Sequence, residues 1–212
     1  MQIDIISDAI CPWCFIGKRH LEAALPILAE DGLAFTIGWR PYQLNPDMPL
    51  DGVPRTAYRT AKFGSLERSQ ELDAGVAQAG IAAGLVFRHD LMLRTPNTIA
   101  AHRLIRAAGQ AGLQDQIVER LFQAYFQEGI DIGDPTMLAD IAAQQGLPRD
   151  IMNGDDGQAE VLAEDAAARK AGLSGVPSFL LEGYFLFSGA MPTEAMVSAL
   201  RRAHAVLSAR AA

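Results

Sequence analysis

The stretch Cys11-Pro12-Trp13-Cys14 lies where an apolar segment gives way to a helical pattern, and the rest of the sequence is best interpreted from it. Residues 2–6 carry three isoleucines and are followed by two polar residues, which predicts a buried strand that ends just before the cysteines. Proline is favoured at the first position of a helix. We therefore expect Cys11 at the N-cap of the first long helix.

This position would make Cys11 a nucleophile. A sulfur at a helix N-terminus faces free backbone N–H groups and the positive end of the helix dipole, and both favour the thiolate over the thiol. Cys14, one turn further into the helix, would then resolve the mixed disulfide that Cys11 forms with a substrate. The pair predicts dithiol–disulfide exchange, with Pro12 and Trp13 supporting the site.

The two cysteines have three other possible interpretations. A zinc site needs four ligands, but the four histidines are scattered along the chain. A structural disulfide across so short a loop would remove little entropy from the unfolded chain. Two inert buried cysteines would not explain a proline between them at a strand-to-helix junction. We therefore expect no metal, and no cofactor beyond the redox-active disulfide itself.

The pattern around the cysteines predicts an α/β layer assembled from both ends of the chain. An amphipathic helix follows the cysteines and stops at Asp31-Gly32, and residues 34–40 alternate as a second strand, so the first two strands should pair in parallel. Near the other end, residues 177–181 and 184–187 predict two strands joined by a tight turn, and a last helix follows Pro192.

Between these ends, residues 54 to 172 carry a run of helical patterns separated by glycine and proline breaks. We count six helices, which include the ranges 65–82, 97–111, 113–128, 135–145 and 157–171. The middle of the chain is therefore expected to form a helical insertion within the α/β layer.

A second signal lies at Gly175-Val176-Pro177, immediately before a predicted strand. A proline that enters a strand after such a step can follow a cis peptide bond at a tight turn. The signal is weak alone, and it gains force from the cysteine pair at the end of the first strand.

Together, these motifs resemble the DsbA-like oxidoreductases of the thioredoxin superfamily, and in particular their FrnE-like branch. The resemblance spans almost the whole chain and rests on residues 8–14, 41–46, 94–98, 101–104, 175–177 and 188–194. It implies a thioredoxin-like fold with a large inserted all-helical domain. The expected parts are 1–53 and 157–212 for the two halves of the thioredoxin-like domain, and 54–156 for the helical insertion.

The resemblance also implies a substrate site. A cis Val176–Pro177 bond would lie over the sulfur of Cys11, and the backbone of Val176 would pair with an extended substrate segment. Our candidates for the substrate groove are Ile10, Trp13, Tyr42, Leu44, Met92, Asn97 and His102. For His102 a satisfied core histidine is the competing interpretation, and proton transfer at the cysteines is the functional one.

Two alternative functions belong to other classes. The kappa-class glutathione transferases and the 2-hydroxychromene-2-carboxylate isomerases resemble this chain in fold and insertion, but they usually carry serine where Cys11 stands. They would also carry a polar or acidic pair near positions 189–191, where this chain has Gly-Ala-Met. A non-catalytic binding protein that retains the fold is the second alternative, and the intact cysteine pair argues against it.

Charge and composition narrow the expected partners. The formal net charge of -7 disfavours nucleic acid, which binds mainly through cationic contacts to phosphates. The first residues carry no secretory signal and no apolar run reaches the ~18 residues that span a bilayer, so we expect a cytoplasmic protein without a membrane partner. The expected partners are protein or peptide thiols and disulfides, with glutathione or a thioredoxin-type reductant as co-substrate. Monomer and homodimer both stay open.

Overall fold

Opposite ends of the chain build one four-stranded sheet. In the computed structural model, which describes residues 1–211, strand β1 (Gln2–Ser7) pairs in parallel with β2 (Thr36–Pro41). On its other side β1 pairs antiparallel with β5 (Ser178–Leu181), which pairs with β6 (Tyr184–Ser188). The strand order is therefore β2-β1-β5-β6. The parallel pair expected from the sequence is confirmed.

The apolar run in β1 is explained by its neighbours. A strand with partners on both sides and helices over the sheet has little contact with water, so it favours branched apolar residues. Ile3 and Ile5 are buried, and Ile5 lies opposite Trp39 of β2 and Phe179 of β5. Strand β2 begins at Thr36 rather than at 34 because β1 pairs with it only from Gln2 onward.

Two long helices pack together beside this sheet. Helix α1 (Pro12–Glu30) links β1 to β2 and packs against the last helix, Thr193–Ala211, which we number α8 below. The last helix buries Met196, Val197 and Leu200, while His204 and Leu207 on the same predicted face are half-buried. The cysteine-bearing helix is thus fixed by packing along its length.

Residues 53–170 form the helical segment. Its helices are α2 (Arg55–Phe63), α3 (Leu66–Ala82), α4 (Ile99–Gln110), α5 (Gln114–Glu128), α6 (Pro135–Gln144) and α7 (Gln158–Lys170). A short 3-10 helix spans Arg149–Met152, and the two-residue strands β3 (Val53–Pro54) and β4 (Arg94–Thr95) pair antiparallel. The count of six helices is confirmed, and the five predicted ranges agree with their bounds to within two residues.

An aromatic cluster joins the cysteine-bearing helix to the helical segment. Phe15 of α1 is fully buried and stacks on Phe122 and Phe126 of α5, with ring centroids 5.0 and 6.1 Å away. Phe87 meets Phe15 edge-on at 6.1 Å. Because Phe15 directly follows Cys14, the same cluster holds the start of α1 against the insertion.

The expected division into 1–53, 54–156 and 157–212 stays a prediction. Helix α7 packs against both α4 of the helical segment and strand β2 of the sheet, so it contacts both parts.

Within residues 1–211, no helix is long and apolar enough to cross a membrane.

Candidate active site

Cys11 begins the first helix, as the sequence predicts. Strand β1 ends at Ser7, a turn follows, and Cys11 is the extended N-cap residue of α1, with φ -93° and ψ 111°. Pro12 occupies the first helical position, and the Cys11 N–H donates to the Asp8 carbonyl over 3.0 Å. No side chain caps this helix start, so the free N–H groups of the first turn are available to a negative sulfur.

The second motif meets Cys11 from the other end of the chain. The Val176–Pro177 peptide bond is cis, and the Cys11 thiol donates to the Val176 carbonyl over 3.6 Å. Pro177 also packs on α1, because a Cβ at Gly17 would lie 3.2 Å from the Pro177 ring. Gly17 therefore provides the room that brings the proline loop to the start of α1, a role that the sequence analysis missed.

Cys14 has a different environment from Cys11, although only one turn separates them. It is 1% exposed, and its backbone N–H donates to the Cys11 carbonyl over 3.0 Å. Burial raises the pKa of the Cys14 thiol well above its ordinary value, and the neighbouring Cys11 raises it further. Hydrogen bonds from the Ser7 hydroxyl and the Asp8 backbone oppose this rise.

A cleft of about 510 Å³ lies in front of Cys11 and contains several of the predicted groove residues. Cys11 lines it with only 4% of its surface exposed, whereas Trp13 is 44% exposed at the same opening. The predicted residues that line the cleft are Ile10, Cys11, Pro12, Trp13, Leu44, Met92 and Val176. The cleft can therefore present a substrate disulfide to Cys11.

Besides Cys14, four predicted residues lie outside this lining. Tyr42 is buried beneath the Arg169 guanidinium, which lies 4.2 Å from its ring centroid. Asn97 bonds to the Met48 carbonyl over 2.7 Å and accepts the Ile99 N–H over 3.0 Å, as a loop and helix-start residue does. The other two are His102, which pairs with Asp8, and Pro177, which packs on α1.

The carboxylate of Asp8 is the main site feature that the sequence analysis did not single out. Asp8 is fully buried, accepts the Leu44 N–H over 2.7 Å, and pairs with His102 Nε2 at 3.2 Å. It therefore links the turn before Cys11, the cleft wall at Leu44 and helix α4. A charged residue between an apolar strand and the cysteine pair was the available signal.

The far wall of the cleft, from α2 and α3, was also missed. Arg55 and Arg59 both donate to Asp73, over 2.8 and 2.6 Å, and His89 lies beside them. Burial lowers the pKa of His89 below its ordinary value. No local pattern distinguishes these residues from an ordinary amphipathic surface, so the sequence offered no signal for them.

We found no group of three or more histidine, cysteine or acidic side chains suited to a metal ion in the part of the chain that the structure describes. Cys11 and Cys14 are both free thiols in this structure.

Known proteins resemble this chain in sequence and in fold. The family model described as "DSBA-like thioredoxin domain" matches residues 2–201. A crystal structure of a probable DsbA oxidoreductase from Streptomyces coelicolor is 29% identical, with a TM-score of 0.86 over 97% of this chain and 90% of that chain.

Two more distant structures share the fold. A 2-hydroxychromene-2-carboxylate isomerase is 16% identical, with a TM-score of 0.70 over 95% of each chain. The cytosolic disulfide reductase DsbM from Pseudomonas aeruginosa, solved with GSH, is 19% identical, with a TM-score of 0.63 over 99% of this chain and 98% of that chain. The isomerase has the fold of the alternative function weighed above, and at these identities the likeness concerns architecture alone.

Proposed function

Because the chain belongs to the family described as DSBA-like thioredoxin domain, we propose that it is a thiol–disulfide oxidoreductase acting on protein or peptide substrates through Cys11 and Cys14. The family membership supports oxidoreductase or isomerase chemistry. The proposal goes further in assigning the substrate class and the role of each cysteine.

The observation that carries this proposal is the setting of the Cys11 sulfur. It lies at the N-terminus of α1, donates to the carbonyl of Val176, and lines a cleft with an apolar side formed by Trp13, Leu44 and Met92. No side chain caps this helix start, and a backbone carbonyl beside the sulfur can accept a hydrogen bond from an extended substrate segment. Nucleophile and main-chain docking site are thus adjacent.

In the reducing direction, the Cys11 thiolate attacks one sulfur of a substrate disulfide, and the other substrate sulfur leaves as a thiolate. Cys14 then loses its proton and attacks Cys11, which forms the Cys11–Cys14 disulfide and releases the second substrate thiolate. The cysteine pair is oxidised by two electrons and the substrate is reduced by two. Oxidation of a substrate dithiol is the same sequence run backwards.

We further propose that the protein works as a FrnE-like enzyme in the cytoplasm, where thiols are kept reduced and the pair would act as a reductase or isomerase. Glutathione or a thioredoxin-type reductant would regenerate the dithiol. The DsbM structure was solved with GSH, which supports testing glutathione first.

The test compares Cys11→Ser, Cys14→Ala and a matched α8 surface variant, Ser198→Ala, in reduction of insulin by dithiothreitol. Cys11→Ser should fall to the uncatalysed rate, because a hydroxyl cannot form the mixed disulfide. Mixed with a substrate disulfide in the absence of dithiothreitol, Cys14→Ala should accumulate one substrate molecule per chain at Cys11, as counted by mass spectrometry. Ser198→Ala should match the unmodified protein.

Full activity in Cys11→Ser would reject the proposal. Glutathione-dependent turnover that survives loss of Cys14 would instead favour the isomerase or transferase alternative, since a shared fold does not fix the chemistry.

A further inference from the structure

Resolution of the mixed disulfide requires that the Cys14 proton leave a closed site. Cys14 is 1% exposed and does not line the cleft in front of Cys11. During this step the substrate is covalently attached to Cys11 and covers the cleft side. The proton therefore needs an exit at the back of the cysteine pair.

Ser7 provides the first polar group on that side. Hydrogen bonding from the Ser7 hydroxyl lowers the pKa of Cys14, and the Ser7 side chain lines a small cavity of about 10 Å³ that residues of β2, α4 and α5 also line. A cavity of this size is about what a single water molecule needs, provided that polar partners line it. His102 lines the same cavity, as do Ala9 and Trp39.

The ring of His102 is held so that one nitrogen can accept a proton. Its Nε2 pairs with the Asp8 carboxylate at 3.2 Å, and a carboxylate acts as the acceptor in such a bond. Nε2 then carries the hydrogen in the neutral ring, and Nδ1 is the acceptor nitrogen. Asp8 would also stabilise the imidazolium that forms when Nδ1 takes up a proton.

A second cavity connects His102 to the surface. This rear cleft, of about 370 Å³, lies between β2 and helices α4, α5 and α7 and shares His102, Trp39 and Arg40 with the small cavity. Arg40 is 45% exposed at its side chain, so the rear cleft reaches solvent. Asp8 is paired with His102, and the charged side chains that line the rear cleft with His102 are Arg40, Arg106 and Glu164.

We infer that Cys14 loses its proton through Ser7 and His102 into the rear cleft, on the opposite side from the substrate. In this step the Cys14 proton passes to the Ser7 oxygen while the Ser7 hydroxyl proton moves on to His102 Nδ1, directly or through one water. The Cys14 thiolate attacks Cys11, the bond from Cys11 to the substrate sulfur breaks, and that sulfur leaves with the electron pair. The imidazolium then releases its proton to solvent. This inference rests on the proposed function.

The experiment separates the two chemical steps. Reduced protein is mixed with a peptide disulfide, quenched with acid at timed intervals, and assayed by mass spectrometry for the mixed disulfide and for the Cys11–Cys14 disulfide. The variants are Ser7→Ala, Ser7→Thr, which keeps the hydroxyl, and His102→Gln, whose amide can still donate to Asp8 but cannot take up a proton.

Ser7→Ala and His102→Gln should slow resolution at least ~10-fold while formation of the mixed disulfide changes by less than ~2-fold, since general acid–base groups act on their own step. Ser7→Thr should resolve nearly as fast as the unmodified protein. The double variant should be no slower than the slower single variant, because both residues serve one route. A merely structural role would slow both steps together and would not be rescued by threonine.

Unchanged resolution in folded Ser7→Ala and His102→Gln would overturn the inference. Should these variants not fold, the unmodified protein can be measured in D₂O, where resolution that is no slower than in water would also overturn it. Failure to form any mixed disulfide would reject the proposed function itself, and the route with it.

Discussion

The two cysteines lie in different regions of one site, Cys11 at the front and Cys14 at the back. In front, Cys11 faces a cleft whose opening carries the half-exposed Trp13. At the back, Cys14 lies among Ser7 and the fully buried Asp8, which also pairs with His102. Side chains at the front can be substituted at little cost in stability, because water or substrate fills the space beside them. At the back, each buried polar group depends on a hydrogen-bond partner from the protein. The difference teaches that separate parts of the fold provide the substrate contacts of Cys11 and the buried polar surroundings of Cys14.

Asp8→Ala should have the largest effect on stability, because it removes the polar centre of the back region. The Leu44 N–H and His102 Nε2 would lose their partner, and the unfolding free energy should fall by about 2–6 kcal/mol at ~1–3 kcal/mol for each group left unpaired. Urea unfolding measures this. The matched control is Asp31→Ala, whose exposed pair with Arg201 should contribute less than about 1 kcal/mol. Equal losses in both variants would contradict the dependence of the back region on the buried Asp8.

A smaller effect should appear as a pH dependence of the reduced protein. The pKa of Cys14 is raised by burial in the folded state, so the folded chain keeps this proton at pH values where the unfolded chain has released it. The resulting stability is fully present below about pH 8.5, and above it falls by about 1.4 kcal/mol per pH unit until the folded pKa is reached.

This pH effect is measured as the unfolding free energy of the reduced protein relative to Cys14→Ala between pH 7 and about pH 10, a range set by the ordinary cysteine pKa. The advantage of the unmodified chain should shrink as pH rises. A constant difference would mean that Cys14 ionises in the fold as readily as in the unfolded chain.

The smallest change in stability is expected at the front. Trp13→Ala should alter the unfolding free energy by less than about 1 kcal/mol, because the ring is 44% exposed and lines an open cleft. It should raise the KM for a peptide disulfide roughly 3-fold or more with little change in kcat, as loss of uniform binding does. The control is Leu93→Ala, exposed at 76% and outside the cleft lining. An unchanged KM for Trp13→Ala would remove this ring from the substrate site.

The elements around Cys11 were predictable because their signals are local. The isoleucines of β1, the proline after Cys11 and the helical spacing that follows it lie within a few turns of one another, and the structure has that strand, N-cap and helix. Helix α2 was not among the predicted ranges. None of its residues is buried, so this helix contributes no side chain to the core.

The candidate groove was predictable only in part. Ile10, Trp13, Leu44 and Met92 line the cleft, whereas Tyr42 packs under Arg169. Both outcomes suit an apolar side chain in a loop, and only the position of the neighbouring helices distinguishes them. For this reason local patterns, such as periodicity and turn signals, could not separate a groove residue from a core residue.

The sequence by itself determined the order of strands and helices and the position of Cys11 at a helix start, since both depend on residues adjacent in the chain. The tertiary structure alone decided what surrounds Cys14. Asp8 and His102 meet across 94 residues, and the Cys11 thiol meets the Val176 carbonyl across 165. Contacts over such separations depend on how the whole chain packs, and no local spacing encodes them.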